Sequence, residues 1–303
     1  MSHDKKYLIV LVGPTAVGKT ETAIALSQAI NGVIISSDSR QIYKELSIGV
    51  AKPTSDEIKA GNIKLVDYVS IVKPYSAGIY ETDALNAIYQ SYDAGLTPIL
   101  SGGTGLYIKA VCEGLDKIPT VPEEVNLQIE QDLLTDRAKA LDELHKGDSQ
   151  SFATVDRDND RRIIRMLGVM RVSGKPFSSF LNQPKAARGF IPIYISLMRQ
   201  REELYDRINT RVHRMMDNGL IDEVHSLIPH RHLRALDTVG YTEVFGYMDG
   251  LYSLDRAIEL IQQNSRRYAK RQLTWIRNQM DATSFHPDDF EGLRTYVNSY
   301  VKL

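Results

Sequence analysis

The sequence predicts an α/β fold, a P-loop parallel sheet with flanking helices, interrupted by a helical insertion. Three observations predict it. Apolar runs of strand length alternate with helix-period segments through the first hundred residues. The octet Gly13-Pro14-Thr15-Ala16-Val17-Gly18-Lys19-Thr20 stands between the first of these runs and the first of these helices. From Lys117 to Ala187 the strand signals stop, and a polar, charged stretch with helical spacing takes over.

Strands are expected at Tyr7–Val12, Val33–Ser37, Leu65–Val69 and Pro98–Ser101, each an apolar run too short for a helix. Helices are expected over Lys19–Ile30, over Thr82–Ala94, where Leu85, Ile88, Tyr89 and Tyr92 share a face, and after Gly105. Pro119 and Pro122 open the insertion. Val125, Ile129, Leu133, Leu134, Leu141 and Leu144 form its apolar stripe, and Gly174, Pro176 and Pro184 close it. Ile191–Leu197 then resumes the strand pattern, with Pro192 pointing to an edge position or a strand start. From Arg201 to Met280 the pattern is helical, broken at Gly219, Pro229 and Gly250. The expected organisation is therefore a first core segment over 1–116, an insertion over 117–187, and a core-completing segment with C-terminal helices over 188–303.

Composition narrows the function. Apolar residues are 43% and charged residues 25% of 303, so disordered, collagen-like and coiled-coil classes fall away. The formal charge is −1, and any footprint for nucleic acid has to be local. The single cysteine, Cys112, excludes an internal disulfide framework and a Cys-based zinc finger, and fits a reducing compartment. No apolar run reaches the 18 residues that span a bilayer, and Tyr7–Val12 is cut off by Gly13-Pro14 without a cleavage site. No membrane association and a cytoplasmic location are expected.

The octet matches G-x-x-x-x-G-K-[ST] at every fixed position. Its glycines let backbone N–H groups converge on phosphate oxygens, and the following helix N-terminus adds about half a positive charge. Lys19 supplies a mobile cation, and the Thr20 hydroxyl is a ligand for Mg²⁺. This identifies a diphosphate or triphosphate, with ATP as the obvious guess, and leaves the reaction open. Kinases and ATPases usually add an acid at the end of a second strand. Here Thr97–Ser101 ends in Gly102-Gly103-Thr104-Gly105, and the acid at a strand end is Asp38. On pattern alone, Asp38 is either a turn cap or a ligand-facing carboxylate. Thr104 is likewise either a helix N-cap or part of a functional loop.

Several further blocks resemble one family. Asp38-Ser39-Arg40-Gln41-Ile42-Tyr43 and Ile48-Gly49-Val50-Ala51-Lys52-Pro53 follow the octet. Gly102-Gly103-Thr104-Gly105-Leu106-Tyr107, Arg211-Val212, Gly219 to Val224, Gly240-Tyr241-Thr242-Glu243 and Arg267 to Trp275 come later in the same order. Together they are similar to the bacterial tRNA dimethylallyltransferases over nearly the whole chain. The resemblance implies transfer of a dimethylallyl group from dimethylallyl diphosphate to N6 of the adenosine 3′ of the anticodon. Gly13 through Thr20 would hold the donor's diphosphate, and Asp38 would be the base. Asp38, Ser39, Arg40, Gln41 and Thr104 would contact the tRNA anticodon stem-loop. In the insertion, Arg161, Arg162, Ile163, Ile164 and Arg165 match a tRNA-contact segment. At Asn126 the family pattern often has arginine, so this contact brings hydrogen bonding without charge.

Three basic clusters are candidates for holding RNA. Besides Arg161, Arg162 and Arg165, they are Arg266, Arg267, Lys270, Arg271 and Arg277 on one helix, and Arg199, Arg201, Arg207, Arg211 and Arg214. The last group is interleaved with acids and is expected to be a solvated face, with Arg211 approaching the diphosphate. Ile258, Ile261, Tyr268 and Trp275 are expected to pack as core. Asp156-x-Asp158-x-Asp160 imitates a calcium loop but has Arg161 and Leu167 at positions needing Gly and Glu. His225, His230 and His232 lack a metal-ligand pattern. Prenylation of free AMP, ADP or ATP is the alternative within the family; the Arg-rich insertion argues against it. A P-loop kinase and a non-catalytic RNA-binding module are the alternatives outside it. A monomer is the default expectation.

Overall fold

The computed structural model describes residues 5–185 and 187–301. It divides into two compact units, Met1–Glu113 with Arg188–Leu303, and Gly114–Ala187.

The first unit is a parallel α/β sheet. Its elements begin β1 (Tyr7–Val12), α1 (Lys19–Ala29), β2 (Gly32–Ser36), α2 (Ser55–Ala60), α3 (Ala77–Asp93), β3 (Thr97–Gly102) and α4 (Gly105–Cys112). The second unit contributes α5 (Glu123–Thr135), α6 (Arg137–Gly147), α7 (Ser149–Thr154) and α8 (Asp160–Ser173). The first unit then resumes with β4 (Ile191–Leu197), α9 (Arg201–Asp217), α10 (Leu220–Ser226), α11 (Tyr241–Met248), α12 (Leu254–Gln279), β5 (Thr283–Phe285) and α13 (Phe290–Asn298).

The strands lie in the order β2-β3-β1-β4-β5. Every pairing is parallel. In β1, Leu8, Val10 and Val12 pack toward one face and Ile9 and Leu11 toward the other, all essentially without exposure. A strand covered on both faces has no polar alternation, which is why Tyr7–Val12 reads as an unbroken apolar run. One face is covered by side chains such as Tyr80 and Ile88 of α3, Ile108 of α4 and Ile261 of α12. The other takes Leu26 of α1, Leu204 and Ile208 of α9, and Leu293 and Val297 of α13.

Registers align the carboxyl ends. Val12 is level with Gly102 of β3 and with Ser196 of β4, and Ser36 of β2 is level with Ser101. The loops after these strands therefore gather at one edge, where open α/β sheets place their ligand crevice.

One strand expectation changes, and the two readings of Pro192 are decided in favour of a strand start. Leu65–Val69 forms no strand, because Leu65 and Asp67 adopt φ of 59° and 52°, a left-handed conformation incompatible with a ladder. Only single bridges form there, Ile35 with Lys64 and Tyr43 with Val69. β4 is an inner strand, yet Pro192 fits. Ile191 donates its N–H to Lys6 on the β1 side. Strand alternation then turns residue 192 toward β5, which pairs only with Ile195–Leu197.

The second unit has its own core of Ile129, Leu133, Ala140, Leu144, Val155, Ile163 and Leu167. Leu134, expected in that stripe, is 83% exposed, since it follows Leu133 by one position and faces away. The acidic run before α8 is a cap region: Asn159 accepts from Arg162 N–H, and Asp160 pairs with Arg137 at 2.7 Å. Asp148 ties α7 to the segment after α8, accepting from Ser151 and from Ser178 N–H at 2.7 Å.

Leu144 is fully buried in the second unit. Leu144→Ala is expected to destabilise that unit by about 2–5 kcal/mol. Denaturant unfolding followed by circular dichroism, compared with Leu134→Ala at under about 0.5 kcal/mol, checks this.

Candidate active site

The octet forms the turn between β1 and α1. Gly18 is the N-cap of α1 with φ of 112°, a backbone that an L side chain rarely adopts. Ala16 also has a positive φ, 64°, and is held there from outside the loop. Arg207 donates from Nε to the Ala16 carbonyl at 2.8 Å, and Arg199 from Nε to the Val17 carbonyl at 2.9 Å. Arg211 donates from Nη1 to the Thr15 hydroxyl at 3.0 Å. The expectation that this cluster is a solvated face is thus corrected: three of its arginines grip three consecutive loop residues, while Arg201 and Arg214 stay exposed. Arg207 and Arg211 are four apart on α9 and so share one side of the helix.

Lys19 folds back, donating from Nζ to the carbonyls of Gly13 at 3.0 Å and Pro14 at 2.8 Å. Burial lowers its pKa to about 8; the Asp38 charge opposes this and the Arg211 charge adds to it. Burial also lowers the pKa of Arg211, again against the pull of Asp38. The lysine stays mostly protonated near neutral pH, and a further anion beside it would favour the charged form more.

Asp38 follows β2. Its Oδ1 accepts from the N–H of Arg40 at 2.8 Å and of Gln41 at 3.2 Å. The turn-cap reading is therefore correct for one oxygen, and no donor holds Oδ2 among the described residues. The carboxylate also lines the cavity of about 510 Å³ that contains Lys19, Thr20, Gln41, Arg211 and Tyr268.

Thr104 precedes α4 and makes no side-chain cap. Its Oγ1 instead accepts from Ser39 N–H at 3.0 Å and donates to Ser39 Oγ at 3.2 Å, which joins the β3 loop to the Asp38 loop. The guanidinium of Arg40 is engaged by the protein itself, donating to the carbonyls of Arg234, Ala235 and Asp237 at 3.0–3.1 Å. Gln41 donates to the carbonyls of Val50 and Ala51 at 3.1 and 3.0 Å.

Sequence reasoning missed three groups. Gln272, buried on α12, accepts from Thr15 N–H at 2.8 Å and donates to the Gly103 carbonyl at 3.0 Å. A Cβ at Gly103 would meet Gln272 Nε2 at 2.2 Å, and one at Gly105 would meet the Trp275 ring at 2.4 Å. These two glycines are what allow α12 to lie directly on the β3 loop. Glu223 accepts the N–H groups of Ser47, Ile48 and Gly49 at 2.7–3.1 Å and the Tyr241 hydroxyl at 2.6 Å. Tyr268, expected in the core, lines the cavity beside Asp38. Burial first, and the Asp38 charge next, push its pKa up to about 12.

In the second unit, Arg161, Arg162 and Arg165 are exposed on α8, Ile164 is half-buried, and Ile163 is buried in the core. The Ile163 side chain thus packs inward instead of facing solvent. Asn126 of α5 lies against α8, where a Cβ on Gly168 would sit 3.5 Å from its Oδ1.

A parallel sheet with an anion-gripping P-loop at its carboxyl edge, faced by an aspartate and backed by arginines, defines a P-loop protein built to act on a phosphorylated substrate. The chain belongs to the IPP transferase family, whose model matches residues 41–279. It is 44% identical over 297 residues to the tRNA dimethylallyltransferase of Christiangramia forsetii, covering 97% of this chain and 98% of that one. It is 41% identical to tRNA dimethylallyltransferase 2 of Parabacteroides distasonis, covering 97% and 99%. Among solved structures it is similar to the full-length tRNA isopentenylpyrophosphate transferase of Bacillus halodurans, with TM-score 0.73, 33% identity and coverage of 98% and 97%. A eukaryotic dimethylallyltransferase acting on tRNA superposes with TM-score 0.81 at 26% identity, covering 97% of this chain and 77% of that chain.

Gln272→Leu leaves the Thr15 N–H and the Gly103 carbonyl unpaired. At about 1–3 kcal/mol for each group, a loss of roughly 2–6 kcal/mol is expected in thermal or denaturant unfolding. Lys19 gives a pH signature. Its folded pKa of about 8 lies below the ordinary 10.5, so the folding cost is present in full below pH 8 and is relieved as pH rises to 10.5. Stability relative to Lys19→Met is expected to rise across that window. Calorimetry with inorganic diphosphate should show the wild type binding roughly 10–100-fold tighter than Lys19→Met at pH 7, and the advantage shrinking above pH 8.

Proposed function

We propose that this protein transfers a dimethylallyl group from dimethylallyl diphosphate to N6 of the adenosine 3′ of the anticodon in tRNA. The observation that carries this reading is one cavity lined jointly by the P-loop lysine and the aspartate after β2. Family membership and relatives of 41–44% identity over nearly the full chain support it.

The donor's diphosphate sits in the Gly13–Thr20 turn, meeting the backbone N–H groups at the start of α1. Lys19 leaves the Gly13 and Pro14 carbonyls for the anion, and its proton is retained because the new negative charge offsets burial. Arg211, beside Thr15, faces the same charge. These groups stabilise the diphosphate as it departs, which is where charge develops. The adenine N6 attacks the allylic carbon, the C–N bond forms as the C–O bond to diphosphate breaks, and the N6 proton passes to Asp38. The two amide hydrogen bonds on Oδ1 fix the carboxylate, leaving Oδ2 for the amine.

The donor set suits Mg²⁺. Thr20 offers a hard oxygen ligand at the first turn of α1, and among the described residues no cluster of three His, Cys, Asp or Glu offers an all-protein site. Thr20 together with the diphosphate oxygens would hold the ion. Bound there, Mg²⁺ would neutralise charge on the leaving group.

The acceptor base has to leave its stack to reach such a cavity. Ser39, Arg40, Gln41 and Thr104 at the rim, and Asn126, Arg161, Arg162, Ile164 and Arg165 in the second unit, are the groups assigned to the anticodon stem-loop. Ile163 supports them from the core. No helix is long and apolar enough to cross a membrane among the described residues.

Incubation with labelled dimethylallyl diphosphate and either bulk tRNA or AMP tests the assignment. Label in tRNA is expected; label in AMP alone, or ATP turnover without label, overturns it. Asp38→Asn is expected to lower the single-turnover rate about 10²–10⁴-fold while leaving tRNA affinity within a few fold.

A further inference from the structure

Residues 47–53 share the active-site cavity with the P-loop: Val50, Ala51, Lys52 and Pro53 line the same space as Lys19, Thr20 and Asp38. The segment is a tight turn, closed by the N–H of Ala51 on the Ile48 carbonyl and that of Lys52 on the Ser47 carbonyl, both at 2.9 Å. Ala51 adopts φ of 45°, a left-handed conformation unusual for a residue with a Cβ. The first half of the turn is held from α10. Glu223 Oε2 accepts from the N–H of Ser47 at 3.1 Å and of Ile48 at 2.7 Å, and Oε1 from the N–H of Gly49 at 3.0 Å and the Tyr241 hydroxyl at 2.6 Å. Gly49 permits this approach, since a Cβ there would meet the Tyr241 ring at 2.5 Å and Leu220 at 3.0 Å. A carboxylate suits the place: it has lone pairs for all four donors and no hydrogen of its own to turn toward them.

The second half of the turn passes the constraint on. The carbonyls of Val50 and Ala51 accept from Nε2 of Gln41 at 3.1 and 3.0 Å. With its side chain pinned there, Gln41 directs its own N–H to Oδ1 of Asp38 at 3.2 Å. Lys52 anchors the far end of the turn, donating from Nζ to the carbonyls of Tyr43 at 2.8 Å and Lys44 at 3.1 Å. A path of hydrogen bonds therefore runs from Glu223 through the turn and Gln41 to the carboxylate assigned as the base. Glu223 itself does not line the cavity.

We propose that Glu223 is a positioning residue for the transfer reaction, setting the angle at which Asp38 presents Oδ2 to the acceptor amine. The proposal rests on the tRNA reading above. Proton transfer needs that oxygen within hydrogen-bond reach of N6, and a displacement of about 1 Å costs on the order of 100-fold in rate. The Gly13–Thr20 turn and Arg211, which meet the donor's diphosphate, are not on this path. The effect of Glu223 therefore falls on the chemical step and not on binding.

Glu223→Gln keeps the length of the side chain but turns an NH₂ group toward amide donors. Single-turnover transfer from labelled dimethylallyl diphosphate to bulk tRNA, with both saturating, is expected to slow about 10- to 100-fold. Affinity for inorganic diphosphate by calorimetry, and for tRNA by filter binding, is expected to stay within about 3-fold of the wild type. Gln41→Met cuts the path one step later and is expected to slow the reaction by a similar factor. The double variant is expected to lie within about 3-fold of the slower single variant, because losses along one path do not add. A Glu223→Gln rate within about 3-fold of the wild type overturns the proposal, as do losses that multiply in the double variant. A fall in diphosphate or tRNA affinity that accounts for the slower rate of Glu223→Gln also overturns it, by making Glu223 a packing residue. If circular dichroism shows Glu223→Gln unfolded, Gln41→Met decides alone: a slowed rate supports the path and an undiminished one overturns it. Each of these results leaves the function standing, whereas wild-type protein that puts no label into tRNA overturns the function and this proposal together.

Discussion

The amide hydrogen of Thr15 is donated to Gln272, 257 residues further along the chain, and the rest of the site depends on that contact. A P-loop is a run of strained turn conformations, and Ala16 at φ of 64° is not held by its own side chain. Gln272 and the arginines at 199, 207 and 211 hold it from outside. Because the other end of the Gln272 carboxamide donates to the Gly103 carbonyl, the same side chain fixes the β3 loop against the anion cradle. Thr104 then carries the constraint to Ser39, beside Asp38. A neutral group suits this role: a charge buried there would compete with Lys19 and Arg211 for the substrate.

The electrostatics follow from the same arrangement. Lys19 and Arg211 are both half-buried and largely desolvated; the Arg211 charge disfavours that of Lys19, and the Arg207 charge that of Arg211. Asp38 is the carboxylate that offsets them. Under the proposed function, the donor's diphosphate would relieve that repulsion further. Asp38 would then be available as the proposed proton acceptor.

Parallel-sheet strands and the anion loop were legible because their signals are local. Tyr7–Val12 reads as a strand since both faces are covered, and the octet has the glycines its turn needs. The positive φ at Leu65 and Asp67 has no comparable signal, as neither is glycine, so Leu65–Val69 reads as a strand and is not one. β5 and α13 were missed: three residues are too few for a period, and the helix follows a run of loop-forming residues. Arg199, just before α9, and Arg207 on it look like a solvated face because their partners are backbone carbonyls nearly 200 residues away, and a carbonyl leaves no mark on a side-chain pattern. Tyr268 keeps the spacing of a core seam, and spacing does not distinguish a packed interior from the wall of a cavity. Within the second unit the core was legible, while the orientation of Leu134 was decided by its neighbour Leu133.

The position of β4 has a consequence for synthesis. β1 is synthesised ahead of the Gly114–Ala187 unit, but the strand that lies between it and β5 is made only after the whole of that unit. Until then the nascent chain carries β1 with one ladder edge uncovered along six positions, each apolar on both sides. A chain stalled or cleaved before Ile191 would retain the complete glycine loop yet display a sticky strand, making it a natural client for chaperones and proteases.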